Sequence, residues 1–445
     1  MQIAFVTLFL GLISGRVPLE LQVTGVPGPA AIELRLDGAD AGRLTRPPFR
    51  GEIDLGKDLL PHHLEAWALD AQGLRAAYAE LWVNLPHPPA VLDLTTEPGE
   101  GGRIGAVRVS YHSSTHEPAH DLTARLDGRP LPISGNRALL PAYPPELPHL
   151  LSIEARSASG LAAHRDLAFG GGLEGEVATE LTAALLRSPS RLPTVDKLAG
   201  WFTAEGKALT PVAVEEGPAE LLVVRDREVP EELLDLGRRT LHDITNQRLR
   251  GVYGFELPLP KDLQLRFVET GAHWYLGAEG RTALFGVSTE VTGGKDGGLY
   301  WRLANTLLAH EEGPPQLADA VAVAGVQALA DQRRRAVLLV LSGLSADRSR
   351  HDPATVRRYL AALHVPLYVW SLDRPPYPDA IAAWGRVEDA SSFTQLRRAY
   401  SRLLDDLGSQ CLVWLDGRHL PQALRLSPVA AKAAKDVELL GEPKP

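Results

Sequence analysis

The stretch Arg335–Leu372, RAVLLVLSGLSADRSRHDPATVRRYLAALHVPLYVWSL, decides how the carboxyl half of this chain folds. AVLLVLSG is an almost unbroken apolar run ending in Ser342-Gly343. DPATVRRYLAALH opens with Asp352 as a helix N-cap and Pro353 at the first helical position, and its apolar residues recur at helical spacing. VPLYVWSL is a second apolar run, rich in β-branched and aromatic residues. Strand, crossover helix, strand is the βαβ unit. Strands apolar at nearly every position belong to a parallel sheet covered on both faces.

The neighbouring segments extend the unit. Beyond it, RVEDA reads as a short strand, SFTQLRRAYSRLLDDLGS as a long helix and QCLVWL as a last strand. Before it, AELLVVRD is a first strand. VPEELLDLGRRTLHDITNQRL is an amphipathic helix with Pro230 in its first turn and acidic residues near its start. LQLRFVET, HWYLGA and TALFGVST read as strands, one pair antiparallel at an edge, and GGLYWRLANTLLAH and QLADAVAVAGVQALADQ as helices. Residues 219–416 are thus predicted to form a doubly wound α/β domain. In the tail, 417–445, RHLPQALRL is expected as one more strand, followed by a short helix or a disordered end.

The amino half reads as β throughout. LELQV, AIELRLDG and HLEAWALDAQG alternate apolar and polar residues, and turn signals such as Asp37-Gly38 punctuate them. A Pro-rich link, NLPHPPA, follows, and the pattern then repeats. ELRLDG at 33–38 recurs as TARLDG at 123–128, and LPHHLEAWALDAQGLRAA at 60–77 recurs as LPHLLSIEARSASGLAAH at 147–164. Two tandem immunoglobulin-like sandwiches are predicted, over 17–85 and 91–170, with Leu64, Ala66 and Ala68 facing a core. Residues 171–217 form a linking β segment; within it WFTAEGKALTPVAV carries a hairpin with Glu205-Gly206 at its turn. The opening MQIAFVTLFLGLISG is uncharged and apolar. It is read as a possible signal peptide over 1–15, with a buried first strand as the other reading.

Composition excludes some partners. The net charge of −9, without a basic block, excludes a nucleic-acid surface, and no segment is long and apolar enough to be an integral membrane span. The single cysteine, Cys411, excludes an intramolecular disulfide and a cysteine-based zinc site.

The order and spacing of AELLVVRD, PPQLADAVAVAGVQAL, AVLLVLSG and VPLYVWSL resemble the von Willebrand factor type A fold. The hairpin stretch DKLAGWFTAEGKALTPVAVEEG and the ending EDASSFTQLRRAYSRLLDDLGSQCLVWL resemble the bacterial VWFA-related group, in which immunoglobulin-like segments accompany such a domain. The resemblance implies a metal-ion-dependent adhesion site built from Asp-x-Ser-x-Ser, a Thr and an Asp, an oxygen cage for a hard divalent cation. Here the first loop is Asp226-Arg227-Glu228-Val229-Pro230, the second Gly313-Pro314-Pro315-Gln316 and the third Leu341-Ser342-Gly343. Only Asp226 survives unchanged. Asp226, Glu228 and Ser342 are therefore vestigial positions, with Asp226 and Glu228 expected to cap the following helix.

The expectation is a non-enzymatic protein-binding or scaffold protein of the cell envelope, periplasmic or secreted, with no cofactor. Its partner-binding loops lie around Asp226, Pro315, Gln316, Ser342 and Ser345. Two alternatives stay open. Glu228 and Ser342 donate oxygens to an altered Mg or Ca site in a cation-dependent adhesin, or a hydrolase works at the carboxyl-end crevice with Asp226, Ser342 and His351. The second lacks a Gly-x-Ser-x-Gly elbow. His116-Glu117-Pro118-Ala119-His120 fails as a helical zinc motif, and Gly293–Gly298 lacks phosphate-loop spacing. The eight tryptophans are read as core anchors, with an exposed subset on the sandwiches as the signature of carbohydrate binding.

Overall fold

The computed structural model describes residues 2–7, 11–25, 28–86, 90–99, 103–113, 118–126, 129–146, 148–157, 162–170, 173–177, 181–188, 195–215, 219–246, 257–277, 280–288, 291–292, 298–306, 315–330, 333–343, 347–434 and 436–440. Two compact units make up the chain. One joins Met1–Pro86, Ala183–Leu415 and His419–Pro445; the other joins His87–Thr182 and Asp416–Arg418.

The main sheet and its helices lie in the first unit. In chain order they are β1 (Ala219–Arg225), α1 (Val229–Asn246), β2 (Leu263–Gly277), β3 (Gly280–Val287), β4 (Val291–Thr292), α2 (Leu299–Asn305), α3 (Leu317–Ala330), β5 (Arg334–Leu341), α4 (Pro353–Ala362), β6 (Leu367–Ser371), α5 (Asp379–Ala382), β7 (Val387–Asp389) and α6 (Phe393–Gly408). The spatial order is β3-β2-β1-β5-β6-β7, with β4 also on β2. β2, β1, β5, β6 and β7 run parallel, and β3 and β4 lie antiparallel on β2. Every residue of β1 and β5 is buried. Leu221, Val223, Leu338 and Val340 meet α1, α2 and α6 on one face. Leu222, Val224, Val337 and Leu339 meet α3 and α4 on the other. Continuous apolar strands between two helical layers are what the opening sequence stretch demanded.

Two elements depart from the sequence reading. LQLRFVET and HWYLGA are one strand, β2, whose register against β3 shifts between Val268 and Ala272. QCLVWL does not complete the parallel sheet. Gln410–Asp416 lies in a separate four-stranded sheet, between Pro211–Glu215 and Leu181–Arg187, with Glu438–Leu439 beyond. Cys411 and Val413 pack there against Leu186, Phe202, Leu424 and Leu439. The strand Leu424–Leu426 extends the hairpin of Phe202–Ala204 and Lys207–Leu209, whose turn residues Glu205 and Gly206 have φ of 51° and 79° as a type I′ turn requires. The tail is ordered through a helix, Pro428–Ala433, capped by Ser427.

Both amino-terminal segments form β-sandwiches. In the first, Gln2–Phe5, Arg16–Thr24 and Phe49–Asp54 pack against Ala39–Leu44, Ala31–Leu36, His62–Leu69 and Arg75–Val83 around Leu19, Ile32, Leu64 and Ala66. In the second unit, a five-stranded and a four-stranded sheet enclose Val107, Leu151, Ile153 and Phe169. The repeat is a repeat of pairing. Leu36 opposes Leu64 in the first copy, and Leu126 opposes Leu151 in the second.

The stretch read as a possible leader carries a strand. Gln2–Phe5 pairs antiparallel with Leu21–Thr24, and Ile3 is buried in the first sandwich's core. Gly15 exchanges backbone hydrogen bonds with Gly56 and Leu55. Asn84, buried and at φ 57°, fastens this segment. Its amide bonds Ile13 N, Ile13 O and Leu60 O, and its own carbonyl accepts from the buried Tyr359 hydroxyl of α4 at 2.6 Å. Asn84→Ala leaves buried backbone groups unpaired in a left-handed position, so we expect a loss of about 2–4 kcal/mol in urea unfolding.

The amino ends of the parallel strands carry buried charge. Arg266 pairs with the fully buried Glu220 at 2.6 Å. Burial pushes the Arg335 guanidinium down to about 10 against the pull of Glu220. Nearby, His364 is pushed down from 6.5 to about 3 by burial first, then by Arg335 and Arg425. Below pH 6.5 the unfolded chain therefore takes up a proton that the folded chain refuses, and stability falls as the pH drops from about 6.5 toward 3. His364→Asn should flatten that limb, by up to ~1.4 kcal/mol per pH unit, in urea midpoints followed across the window.

Candidate functional site

The chain passes from β1 to β2 on one side and later to β5 on the other, so the sheet's topological switch point lies between β1 and β5. Ligands of open α/β sheets bind beyond the carboxyl ends of the strands at such a point. A cavity of about 610 Å³ opens there, lined by Asp226, Leu317, Asp347, His351, Ile381 and Trp384 among others.

Asp226 follows β1 directly. Its N–H donates to Val340 O at 2.9 Å, which ties the loop to β5, and its buried Oδ1 accepts from Arg227 N at 2.6 Å. Its backbone oxygen accepts from Val229 N at the start of α1. Glu228 likewise receives Glu232 N on its backbone oxygen, and its side chain is exposed. The exposed Gly343 ends β5 at φ 73°, and its N–H donates to Asp373 Oδ2 at 3.0 Å. Ser342 is buried, and it does not line the cavity although Leu341 and Gly343 do. Pro315 and Gln316 are held by backbone bonds to Arg348 and Thr270. Ser345 lies outside the described residues.

The loop after β5 straps the start of α3. Asp347 accepts from Leu317 N and Ala318 N, at 3.0 and 3.2 Å, and from the N–H and hydroxyl of Ser349. Asp319 accepts from Arg350 N, His351 N and His351 Nδ1, the last at 2.8 Å. Asp352 caps α4 through Thr355 N and its hydroxyl, and those bonds hold its carboxyl below the ordinary range. Sequence reasoning had named His351 with Asp226 and Ser342 and missed Asp319, Asp347 and Asp373. Asp319 sits inside an apolar helical run about thirty residues upstream, and nothing local marks it as a histidine's partner.

These arrangements decide what the site holds. Among the described residues no group of three or more His, Cys, Asp and Glu is placed to hold a metal ion. The oxygens of Asp347 and Asp352 are engaged with helix amides. The hydrolase constellation is not brought together at this cavity, since His351 is oriented by Asp319 and Ser342 lies outside the lining. His116 and Glu117 lie outside the described residues, as do Gly293–Gly297; His120 is an exposed residue of a strand, not of a helix. Trp82, Trp201, Trp370 and Trp384 are buried, while Trp301 is exposed. Trp67 carries the Arg75 guanidinium at 4.3 Å and Tyr78 at 4.3 Å. No described helix is long and apolar enough to cross a membrane.

No family model matches the chain, and no curated protein matches it. Among solved structures, fibronectin(III)-like modules of Clostridium thermocellum CbhA share 14% identity over 40% of this chain and 100% of theirs, at a TM-score of 0.16. Proximal thread matrix protein 1 from the mussel byssus shares 14% over 48% of this chain and 51% of its own, at 0.27. The Bacteroides ovatus mixed-linkage glucan utilization locus protein SGBP-B, solved with a mixed-linkage heptasaccharide, shares 12% over 48% and 58%, at 0.14. Likeness this weak assigns neither a family nor a ligand.

The strap is the testable part of this geometry. Asp347→Ala removes the carboxylate that caps α3 from a distance and should cost about 1–2 kcal/mol of stability. Asp347→Asn should recover part of it, because one oxygen remains to accept. Paired urea titrations of the two variants read the difference.

Proposed function

We propose that the chain is a non-enzymatic protein-binding or scaffold protein. Its α/β sheet is a von Willebrand type A-like domain that engages a partner at the carboxyl-end crevice without a complete metal site. The immunoglobulin-like sandwiches serve as spacers or docking modules. One observation carries the reading: a cavity stands at the switch point, and the carboxylates of the loops around it are spent on backbone amides instead of forming an oxygen cage. A cation-dependent adhesin would need those oxygens converging on one point. Placement in the cell envelope belongs to the same proposal.

Calorimetry with Mg²⁺, Mn²⁺ and Ca²⁺, joined to partner capture from an envelope fraction, tests the reading. Capture should persist in excess EDTA and be lost in a Glu228→Arg, Arg350→Glu double variant, both of whose positions are exposed. Tight cation binding that Asp226→Ala abolishes would overturn it, as would capture that EDTA prevents.

A further inference from the structure

We infer that a second cavity, at the outer edge of the main sheet, receives an extended acidic segment of a protein partner as an added β-strand. The inference is independent of the carboxyl-end crevice. β7 is three residues long and begins opposite Val369, so it leaves the start of β6 without a neighbour on that side. Val337 N–H donates to Pro366 O and Leu372 N–H to Leu341 O, both at 2.9 Å. In a parallel ladder, alternate residues turn both backbone groups toward the same neighbour. Residues 366, 368, 370 and 372 therefore face β5, and Leu367, Val369 and Ser371 face outward. Ala390 N–H, which donates to Ser371 O beyond the end of β7, has the same phase. Among the described residues no backbone group pairs with the outward N–H and carbonyl of Leu367. A cavity of about 1090 Å³ opens at this residue, lined from α4 by Arg357 and Leu360 and from α6 by Arg402 and Asp406.

A backbone donor and a backbone acceptor side by side ask for another backbone. A lone anion satisfies the N–H and leaves the carbonyl unpaired. An extended peptide supplies both partners, which is how a sheet edge takes up a strand from another chain. The charge of the lining selects the composition of that peptide. Arginine keeps its proton in proteins, so the sign of every guanidinium here is fixed. Of the four that line the cavity, Arg187 pairs with Asp406 and Glu438, and Arg402 stands 3.7 Å from Glu388. Asp406 also accepts from the Tyr368 hydroxyl. Arg357 and Arg386 have no hydrogen-bond or ion-pair partner among the described residues. The Arg357 guanidinium is positioned all the same. It lies on the backbone of Gly385, at φ 84°, where a Cβ would stand 2.4 Å from its Cζ. Arg386 follows directly, so both uncommitted cations stand where the chain enters β7, and both favour carboxylates. The α4 side of the cavity is apolar, with Leu360, Val365 and Trp384 buried. Successive residues of an added strand point to opposite sides, so the segment that fits alternates acidic and apolar residues.

The test titrates the full-length chain, by fluorescence anisotropy at low salt, with labelled and amidated hexapeptides Glu-X-Glu-X-Glu-X in which X is Val, Ile, Leu or Phe. At least one member should bind saturably, and its counterpart with Lys for Glu should not. Amide exchange at Leu367, followed by mass spectrometry, should slow in the complex. Arg357→Glu joined to Arg386→Glu, both exposed positions, should weaken the peptide roughly tenfold or more with the urea midpoint unchanged. Two further peptides are N-methylated at every Glu or at every X, which blocks one hydrogen-bonding edge each; one of the two should lose roughly tenfold as well. Equal binding of the lysine peptide, indifference to both N-methylated forms, unchanged binding by the double variant, or no binding by any member each overturn the inference. Self-association of the free chain in sedimentation that the double variant abolishes also overturns it, because the edge would then belong to a second copy.

Discussion

A parallel strand that is hydrogen-bonded on both edges and covered on both faces has only its ends left for anything polar. β1 and β5 are in that position, with every residue buried, and the rest of the α/β layer follows from it. At the amino ends, Glu220, Arg334 and Arg335 are buried and Arg266 is partly buried, and buried charge needs partners. Arg334 finds Asp262 and Leu407 O, Arg266 finds Glu220, and the backbone of Arg335 takes Gln410. Gln410 opens the strand of the small sheet, so a buried hydrogen bond from Arg335 N–H to the Gln410 Oε1 joins the two sheets. At the carboxyl ends the same restriction concentrates Asp226 and Gly343 beside one cavity.

The first sandwich is part of this structure, not an appendage strung before it. Leu59, Leu12 and Leu85 pack into the cluster formed by α3 and α4, and Arg358 of α4 reaches Asp58. Asn84 joins the amino-terminal segment, the sandwich and α4 through four hydrogen bonds from one residue. The stretch NLPHPPA reads in sequence as a Pro-rich link. Its first residues are instead an anchor, because the buried Tyr359 hydroxyl must be satisfied and the Asn84 carbonyl is what satisfies it.

The sequence was most legible where burial alone determines the residue types. The apolar runs of β1, β5 and β6, the amphipathic α6, the Asp352 cap and the turns at Asp37-Gly38 and Glu205-Gly206 all carry local signals with a mechanism. Partnership was not legible. QCLVWL looks like a parallel-sheet strand because a strand buried in any sheet has that composition, and nothing in it names the sheet it joins. The apolar opening stretch posed the same problem: a short buried strand and the hydrophobic region of a leader ask for the same residues. At the site, His351 was visible but its orienting group was not, since Asp319 reaches it only through the packing of α3 against the loop after β5.

That packing also explains how the loops at the carboxyl ends are held in place. Here the cross-links are protein groups. Asp226 N–H joins the first loop to β5, Gln316 N–H joins the second to Thr270, Arg348 N–H joins Pro315, and Asp347 and Asp319 bind the third loop to α3. Each bond is worth about 1 kcal/mol or more when it involves a carboxylate. Carboxylates used this way are fixed in place, so the crevice keeps its shape. Among the described residues, Nε2 of His351 is a buried polar atom of this network without a hydrogen-bond partner. The geometry of the crevice is thus maintained by hydrogen bonds within the protein.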